Sequence, residues 1–399
     1  MSAPASPALA RPAASAAMPI LLALSASHFL NDLIQSLLPS VYPILKDRLA
    51  LTYAQVGLIT FVFQGTASIL QPVVGVMTDR KAQPFSLAVG MACSLAGLLL
   101  LSGAGVYALV LLAAAIIGTG SSIFHPEATR VARAASGGRY GLAQSIFQVG
   151  GNSGQAIGPL LAALIIVPFG QGAIAWFAIA ALIGFSLLTW VGRWYSAHLG
   201  AARKAAATPP PLTRAQWIAI AILLALVFSK NFYMASLQSF YTFYLMQRFA
   251  LSIADSQVYL FVFMAAIAAG TLAGGPIGDR FGRAFILWAS IVGVLPFTLL
   301  LPYANFPMTV ALTAIIGFVM GCSFPAIMVY AQEIAPGRVG TIGGLFFGFS
   351  FGIGGLGAAA LGLLADATSL EFVYRVCSVL PAIGLLLWFM PTRAQLQTS

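Results

Sequence analysis

Charge is what this sequence has least of. Only 7% of its residues are charged and just 9 are acidic, against 60% that are hydrophobic. A chain of this make-up cannot clothe itself in a water-facing surface, which excludes a soluble globular domain and with it a soluble enzyme. The net charge of +10 would suit a nucleic-acid partner in a soluble protein. Here the basic residues are scattered between long apolar segments, so no nucleic acid is expected. Cysteine is scarce as well. Cys93, Cys322 and Cys377 stand in separate apolar segments without paired spacing, which predicts packing roles and no disulfide. No HExxH or other zinc spacing occurs, and no glycine loop precedes a Lys-Ser/Thr pair. His28, Asp32, His125 and Glu127 are the residues an intramembrane metal enzyme would have to use, but they follow no metal motif, so neither metal nor cofactor is expected.

What the chain does have is apolar segments of the length that crosses a bilayer, about 20 residues each. Twelve are countable, centred near residues 32, 65, 94, 116, 154, 184, 231, 265, 294, 320, 353 and 381. The expected fold class is an all-α membrane protein. Residues 1–18, rich in Ala, Pro and Ser, predict a disordered tail; the apolar run that follows is too long for a cleaved signal. The sizeable interior polar linker, 196–215, contains Thr208-Pro209-Pro210-Pro211. It divides the chain into six-helix bundles at 19–195 and 216–391, with a tail at 392–399. Placing both termini in the cytoplasm puts most of the 19 Lys and Arg residues on that side, as the positive-inside rule requires.

The two sets of six are repeats. Ser27 matches Ser229, Tyr42 matches Tyr244, Gln55 matches Gln257, Asp79-Arg80 matches Asp279-Arg280 and Pro126 matches Pro325, at an offset of about 200 residues that drifts slightly along the chain. Such parallel repeats place a transport site at mid-membrane between the halves. The few deep polar groups fall where that site belongs. His28, Asn31, Asp32 and Gln35 share one face of the first segment, and Lys230 holds the place of His28 in the second half. Ionisable groups at that depth cost several kcal/mol unless they meet water, a partner or a substrate. Thr60, Gln64, Ser68 and Gln71 form a polar stripe on segment two. Gln144, Gln148, Asn152 and Gln155 form another on segment five. Segments three, six, nine and twelve have no ionisable residue in their middles, so segments 1, 2, 4 and 5 are expected to line a wet cavity while three and six face lipid. Interhelical hydrogen bonding is the structural alternative for each such Gln or Asn.

Three further strings carry chemistry. Gly118-Thr-Gly-Ser-Ser-Ile-Phe-His125-Pro126-Glu127 closes segment four. Pro126 is expected to break or bend that helix, beside His125 and Glu127. Glu127 serves either as the ion-pair partner of Arg130 or as a protonatable carboxyl at a cavity. Gly150, Gly151, Gly154 and Gly158-Pro159 give segment five a surface for close helix approach and a soft point. Gly75-Val-Met-Thr-Asp79-Arg80 and Gly275-Pro-Ile-Gly-Asp279-Arg280-Phe-Gly282-Arg283 close segments two and eight.

This last pair resembles the G-x-x-x-D-R-x-G-R loop motif of the major facilitator superfamily, with Ala82 and Gln83 departing from it in the first copy. The resemblance implies a twelve-helix, two-bundle transporter and a cytoplasmic gate role for Gly75, Asp79, Arg80, Gly275, Asp279, Arg280 and Arg283. The strings around His28, His125, Gln148 and Tyr233 further resemble bacterial drug-resistance exporters of that superfamily. An Arg that many drug/proton antiporters carry in helix four is missing from Ala113-Ala114-Ala115. The resemblance implies a proton-motive exporter of a small phosphonate hydroxamate drug in the inner membrane. A phosphonate needs cations or fixed donors in a place with little water. Lys230 and His28 are the expected clamp, and Asp32 balances the cavity and takes the proton. Asn31, Gln35, Gln148, Asn152 and Tyr233 supply neutral hydrogen bonds, with His125 and Glu127 beside the path. The expected partners are the drug, protons and the bilayer, and one twelve-helix bundle can work as a monomer. Proton-driven uptake of an anionic metabolite is the competing transporter reading, because residues alone do not set direction.

Overall fold

The computed structural model describes residues 16–80, 83–137, 139–198, 211–281, 283–335, 339–392 and 396; within helices the side chains of 75–80, 275, 278–279, 283 and several neighbours fall outside the description. Among the described residues twelve helical spans are long and apolar enough to cross a membrane: α1 Met18–Leu49, α2 Tyr53–Gln71, α3 Ser86–Gly103, α4 Tyr107–Ala135, α5 Ile146–Phe169, α6 Gln171–His198, α7 Arg214–Phe249, α8 Ile253–Gly274, α9 Ala284–Tyr303, α10 Phe306–Ser323, α11 Leu345–Ala367 and α12 Leu370–Phe389. They form two bundles of six. Most of the proposed tail, 1–18, and most of the linker, 196–215, lie outside the described residues.

The apolar surface is turned outward. Ile179, Leu182 and Ile183 on α6, Val89 and Leu99 on α3, Val292 on α9 and Trp388 and Phe389 on α12 are all exposed. In water this would be an aggregating surface; in lipid it is the proper one. Between helices, where lipid tails are as apolar as leucine, association rests on close packing. The stripe expected on α5 does this against α1. A Cβ added at Gly151 or at Gly154 would come within 3 Å of α1 atoms, the His28 ring and Asp32 in the first case and the Phe29 and Leu33 backbone in the second.

Two local expectations meet the structure differently. Pro126 does not break its helix, which runs unbroken from Tyr107 to Ala135. Its missing donor is absorbed in a long helix whose neighbouring side chains Ser122 and Thr129 bond to carbonyls one turn back, at Thr119 and His125. The soft point on α5 is real: after Pro159 the helix widens into a π turn at Ala162–Ile166.

The amino-terminal start of α1 and the close of α4 meet through Ala17 N–H donating to Ala135 O at 2.8 Å. We call this the linker end, and the opposite one the far end. At the far end the halves are tied together. The Asp366 carboxylate at the close of α11 accepts from the Tyr53 and Ala54 backbone N–H groups that open α2, at 2.8 and 2.7 Å. Gln257 on α8 donates to Ser40 O at 2.7 Å, and Gln247 donates to Tyr53 Oη.

Candidate functional site

Between the bundles lies a cavity of about 290 Å³. Its walls come from α1, α2, α5, α7, α8, α11 and the helix of α10. Among the described residues segments three, six, nine and twelve contribute no lining residue, as their sequences imply; segment four, expected to line it, contributes none either, because its polar face is turned toward α1. Tyr42, Thr60 and Ser239 close its floor toward the far end, where Tyr42 Oη and Thr60 Oγ1 lie 2.7 Å apart and Thr60 Oγ1 and Ser239 Oγ 3.3 Å apart.

The cavity wall is polar without being acidic. Lys230 lines it from α7, is buried, and donates one of its three N–H bonds to Ser290 on α9. Across from it stand Gln35 on α1 and Gln148, Asn152 and Gln155 on α5. The amide nitrogens of Gln35 and Asn152 are buried with no acceptor in the protein. A buried N–H left without an acceptor is costly, of the order of 1–3 kcal/mol, so both amides are donors available to an acceptor. Among the described residues no Asp or Glu lines this cavity.

The carboxylate sits behind the wall. Asp32, His28 and His125 form a buried cluster inside the first bundle, their ligand atoms all within 4.8 Å of one another. His28 Nδ1 donates to the Phe147 carbonyl on α5 at 2.8 Å, and its ring stacks on Phe147 with centroids 4.0 Å apart. His125 Nδ1 donates to the Ser121 carbonyl at 3.1 Å. A carbonyl only accepts, so both rings carry their hydrogen on Nδ1 and turn Nε2 toward Asp32. His28 Nε2 lies 3.3 Å from one carboxylate oxygen and His125 Nε2 3.8 Å from the other. Three lone-pair-bearing groups facing one another repel; a proton between them turns repulsion into a charge-assisted bond. The same spacing has room for a metal ion. Both carboxylate oxygens also accept amide N–H bonds, one from Asn31 at 3.1 Å and the other from Gln155 at 3.0 Å, which hold the carboxylate in place.

Lys230 and His28, expected to grip one anion from two sides, do not share the cavity. His28 is only 2% exposed and is spent on Phe147 and Asp32. Gln35 and Asn152 take its place on the first bundle's wall. Asn31 and Asp32 are buried off the lining, and Tyr233 is buried with its hydroxyl unpaired, while its neighbour Met234 reaches the cavity. His125 is the outermost member of the cluster, its side chain 17% exposed and 5.8 Å from the Phe351 ring of α11. Glu127 is buried and pairs with Arg130 at 3.4 Å, one turn nearer the linker end. Of the gate residues, Arg280 is exposed with its guanidinium 5.3 Å from the Phe281 ring. The side chains of Asp79, Arg80, Asp279 and Arg283, like the contacts of Gly75 and Gly275, lie outside the described residues. Sequence reasoning left out Gln155 as a site residue, although its place on the α5 stripe, three residues after Asn152, was the signal. It also missed Ser290, a lone serine on a helix without ionisable residues in its middle.

Twelve spans, two bundles and a central polar hollow define a membrane transporter, and the family model for the Major Facilitator Superfamily matches residues 24–355 and 224–398. The chain belongs to that superfamily; it is a multipass membrane transporter of small molecules and not an enzyme. It is 57% identical over 375 residues to the fosmidomycin resistance protein of Escherichia coli (strain K12), covering 93% of this chain and 92% of that one. It is also 40% identical over 385 residues to YfnC, an uncharacterised MFS-type transporter of Bacillus subtilis (strain 168), covering 95% and 94% of the two chains. The crystal structure of a bacterial homologue of the human lysosomal transporter Spinster, in an inward-facing and occupied conformation, superposes with a TM-score of 0.75 at 16% identity, over 98% of this chain and 99% of that one.

Proposed function

We propose that this protein exports fosmidomycin-like anionic drugs in exchange for protons by alternating access. The observation that carries the reading is the division of charge. A cavity with a lysine, two unanswered amide donors and no carboxylate suits a small anion, and a histidine–aspartate cluster one layer behind it suits a proton. Fosmidomycin, a phosphonate hydroxamate, offers an anionic head to Lys230, Gln35 and Asn152. The similarity to the fosmidomycin resistance protein supports the substrate class. The residues of the substrate and proton pathway are then Gln35, Gln148, Asn152 and Lys230 at the drug, and His28, Asn31, Asp32 and His125 at the proton. Asp79, Arg80, Asp279 and Arg280 stay proposed as gate residues from the loop motif.

The linker end carries most of the Lys and Arg residues, so it is the cytoplasmic side, with both termini there and the protein in the inner membrane. With the far end tied shut, the conformation described is then inward-facing and ready to load drug. The cavity is enclosed by one chain, so a monomer suffices. Everted vesicles holding a proton gradient test the reading. Exchange predicts that added fosmidomycin discharges the gradient in vesicles with the protein and not in those without it. If drug instead enters right-side-out vesicles together with protons, the protein is an uptake system and this reading falls.

A further inference from the structure

Proton store and drug cavity are separate chambers, and exchange requires that each sense the other. On the proton-coupled reading above, we propose that Gln155 is the positioning residue that carries the protonation state of Asp32 into the cavity. Its side chain lines the cavity and its Nε2 donates to Asp32 Oδ2 at 3.0 Å. No other described residue both lines the cavity and bonds the carboxylate directly. Gln35 makes a longer route, through Ser121 Oγ at 3.1 Å and on to His125 Nδ1 at 3.4 Å. Where α5 meets the cluster face-on it offers Gly151, so the Gln155 amide one turn further along is what passes between the chambers. The groups that face Asp32 are His28 and Asn31 from α1, His125 from α4 and Gln155 from α5.

A primary amide has one donating end and one accepting end. While Asp32 is a carboxylate it holds the donor, and the amide oxygen is the end left for the cavity. When Oδ2 takes up the transported proton it turns that O–H to His28 Nε2, 3.3 Å away, and its weakened pull on the Gln155 N–H lets the amide turn its NH₂ toward the cavity. A drug whose hydroxamic O–H donates to Gln155 therefore favours the charged carboxylate. Binding breaks the Asp32 O–H bond; the proton passes from Oδ2 to the Nε2 lone pair of His28, 3.3 Å away, and leaves the cluster for water on the side of His125, its most exposed member. The phosphonate stays on Lys230, so charge attraction and proton displacement act at opposite ends of one small molecule.

The experiment is proton release on fosmidomycin binding, measured in lightly buffered detergent solution with a pH indicator, at saturating drug so that weakened affinity does not enter. The wild type releases protons. Gln155→Met, equal in length and without the amide, releases less than half as many per drug bound, and its drug affinity loses most of its dependence on pH. Gln155→Asn, a methylene too short to reach Asp32, behaves in the same way. Wild-type proton release from both variants overturns the role of Gln155 and leaves the exchanger reading standing. Loss of drug binding in both makes Gln155 a cavity ligand only and also overturns it. Absence of proton release from the wild type sinks the exchanger reading itself, and this proposal with it.

Discussion

The two halves repeat one pattern of residues at an offset of about 200, yet their first helices carry different chemistry at matching positions. In α1 the sequence His28-Phe29-Leu30-Asn31-Asp32 builds a self-contained ionic cluster, packed against α4 and α5 and closed from lipid. In α7 the matching stretch reads Lys230-Asn231-Phe232-Tyr233-Met234; the carboxylate has become a methionine that lines the cavity, and the cation stands alone at the wall beside Ser290. On the proposed reading the copies have specialised: one keeps a charge that a proton can cancel, the other a charge free to be cancelled by a substrate. A single site holding both would let Lys230 and Asp32 neutralise each other.

The comparison breaks most sharply at Asp32. Asp32→Asn removes the charge that both imidazoles face, and drug resistance should fall to the level of cells lacking the protein while the variant still reaches the membrane. Drug binding measured in detergent should survive but lose its pH dependence; if resistance persists, the carboxylate is not the proton carrier. Lys230→Gln tests the other half. Losing a charge-assisted bond of about 1.5–3 kcal/mol should weaken fosmidomycin binding by roughly ten- to a hundredfold, with proton binding by the first bundle unchanged. Unaltered affinity would put the anion elsewhere. Gly151→Ala forces a methyl group to within 3 Å of His28 and Asp32. Overpacking of about 1–3 kcal/mol should lower the thermal midpoint by several degrees and depress proton-coupled transport more than drug binding. The smallest effect belongs to Asp366→Asn. The carboxylate it replaces caps the start of α2 across the halves, an interaction of roughly 0.3–1 kcal/mol, so cysteine labelling near Tyr53 should rise only a fewfold.

Much of this was legible in the sequence. Length and hydropathy give the twelve spans, and the repeat gives two bundles. The gaps in ionisable residues place α3, α6, α9 and α12 outside. The polar stripe Gln148-Asn152-Gln155 correctly marks one face of α5 as cavity wall. Periodicity, though, names a face and not the neighbour that the face meets. His28 and Lys230 share a register, but only the structure shows His28 turned into the α1–α5 seam and Lys230 turned into the hollow. The unbroken course of α4 through Pro126 has the same origin, since packing decides whether a proline bends its helix or is absorbed. The hydrogen bond from Gln155 to Asp32 joins residues far apart in the chain, and no local pattern encodes it.

The far-end tie has one more implication. A helix start owes its first amide hydrogens to something, and here the debt of α2 is settled by the opposite bundle. Tipping the molecule the other way would hand those two amides to water, which welcomes them at little loss. Such a clasp is firm enough to hold the far end closed and weak enough to let go, so one acidic side chain biases which end of the molecule stays shut.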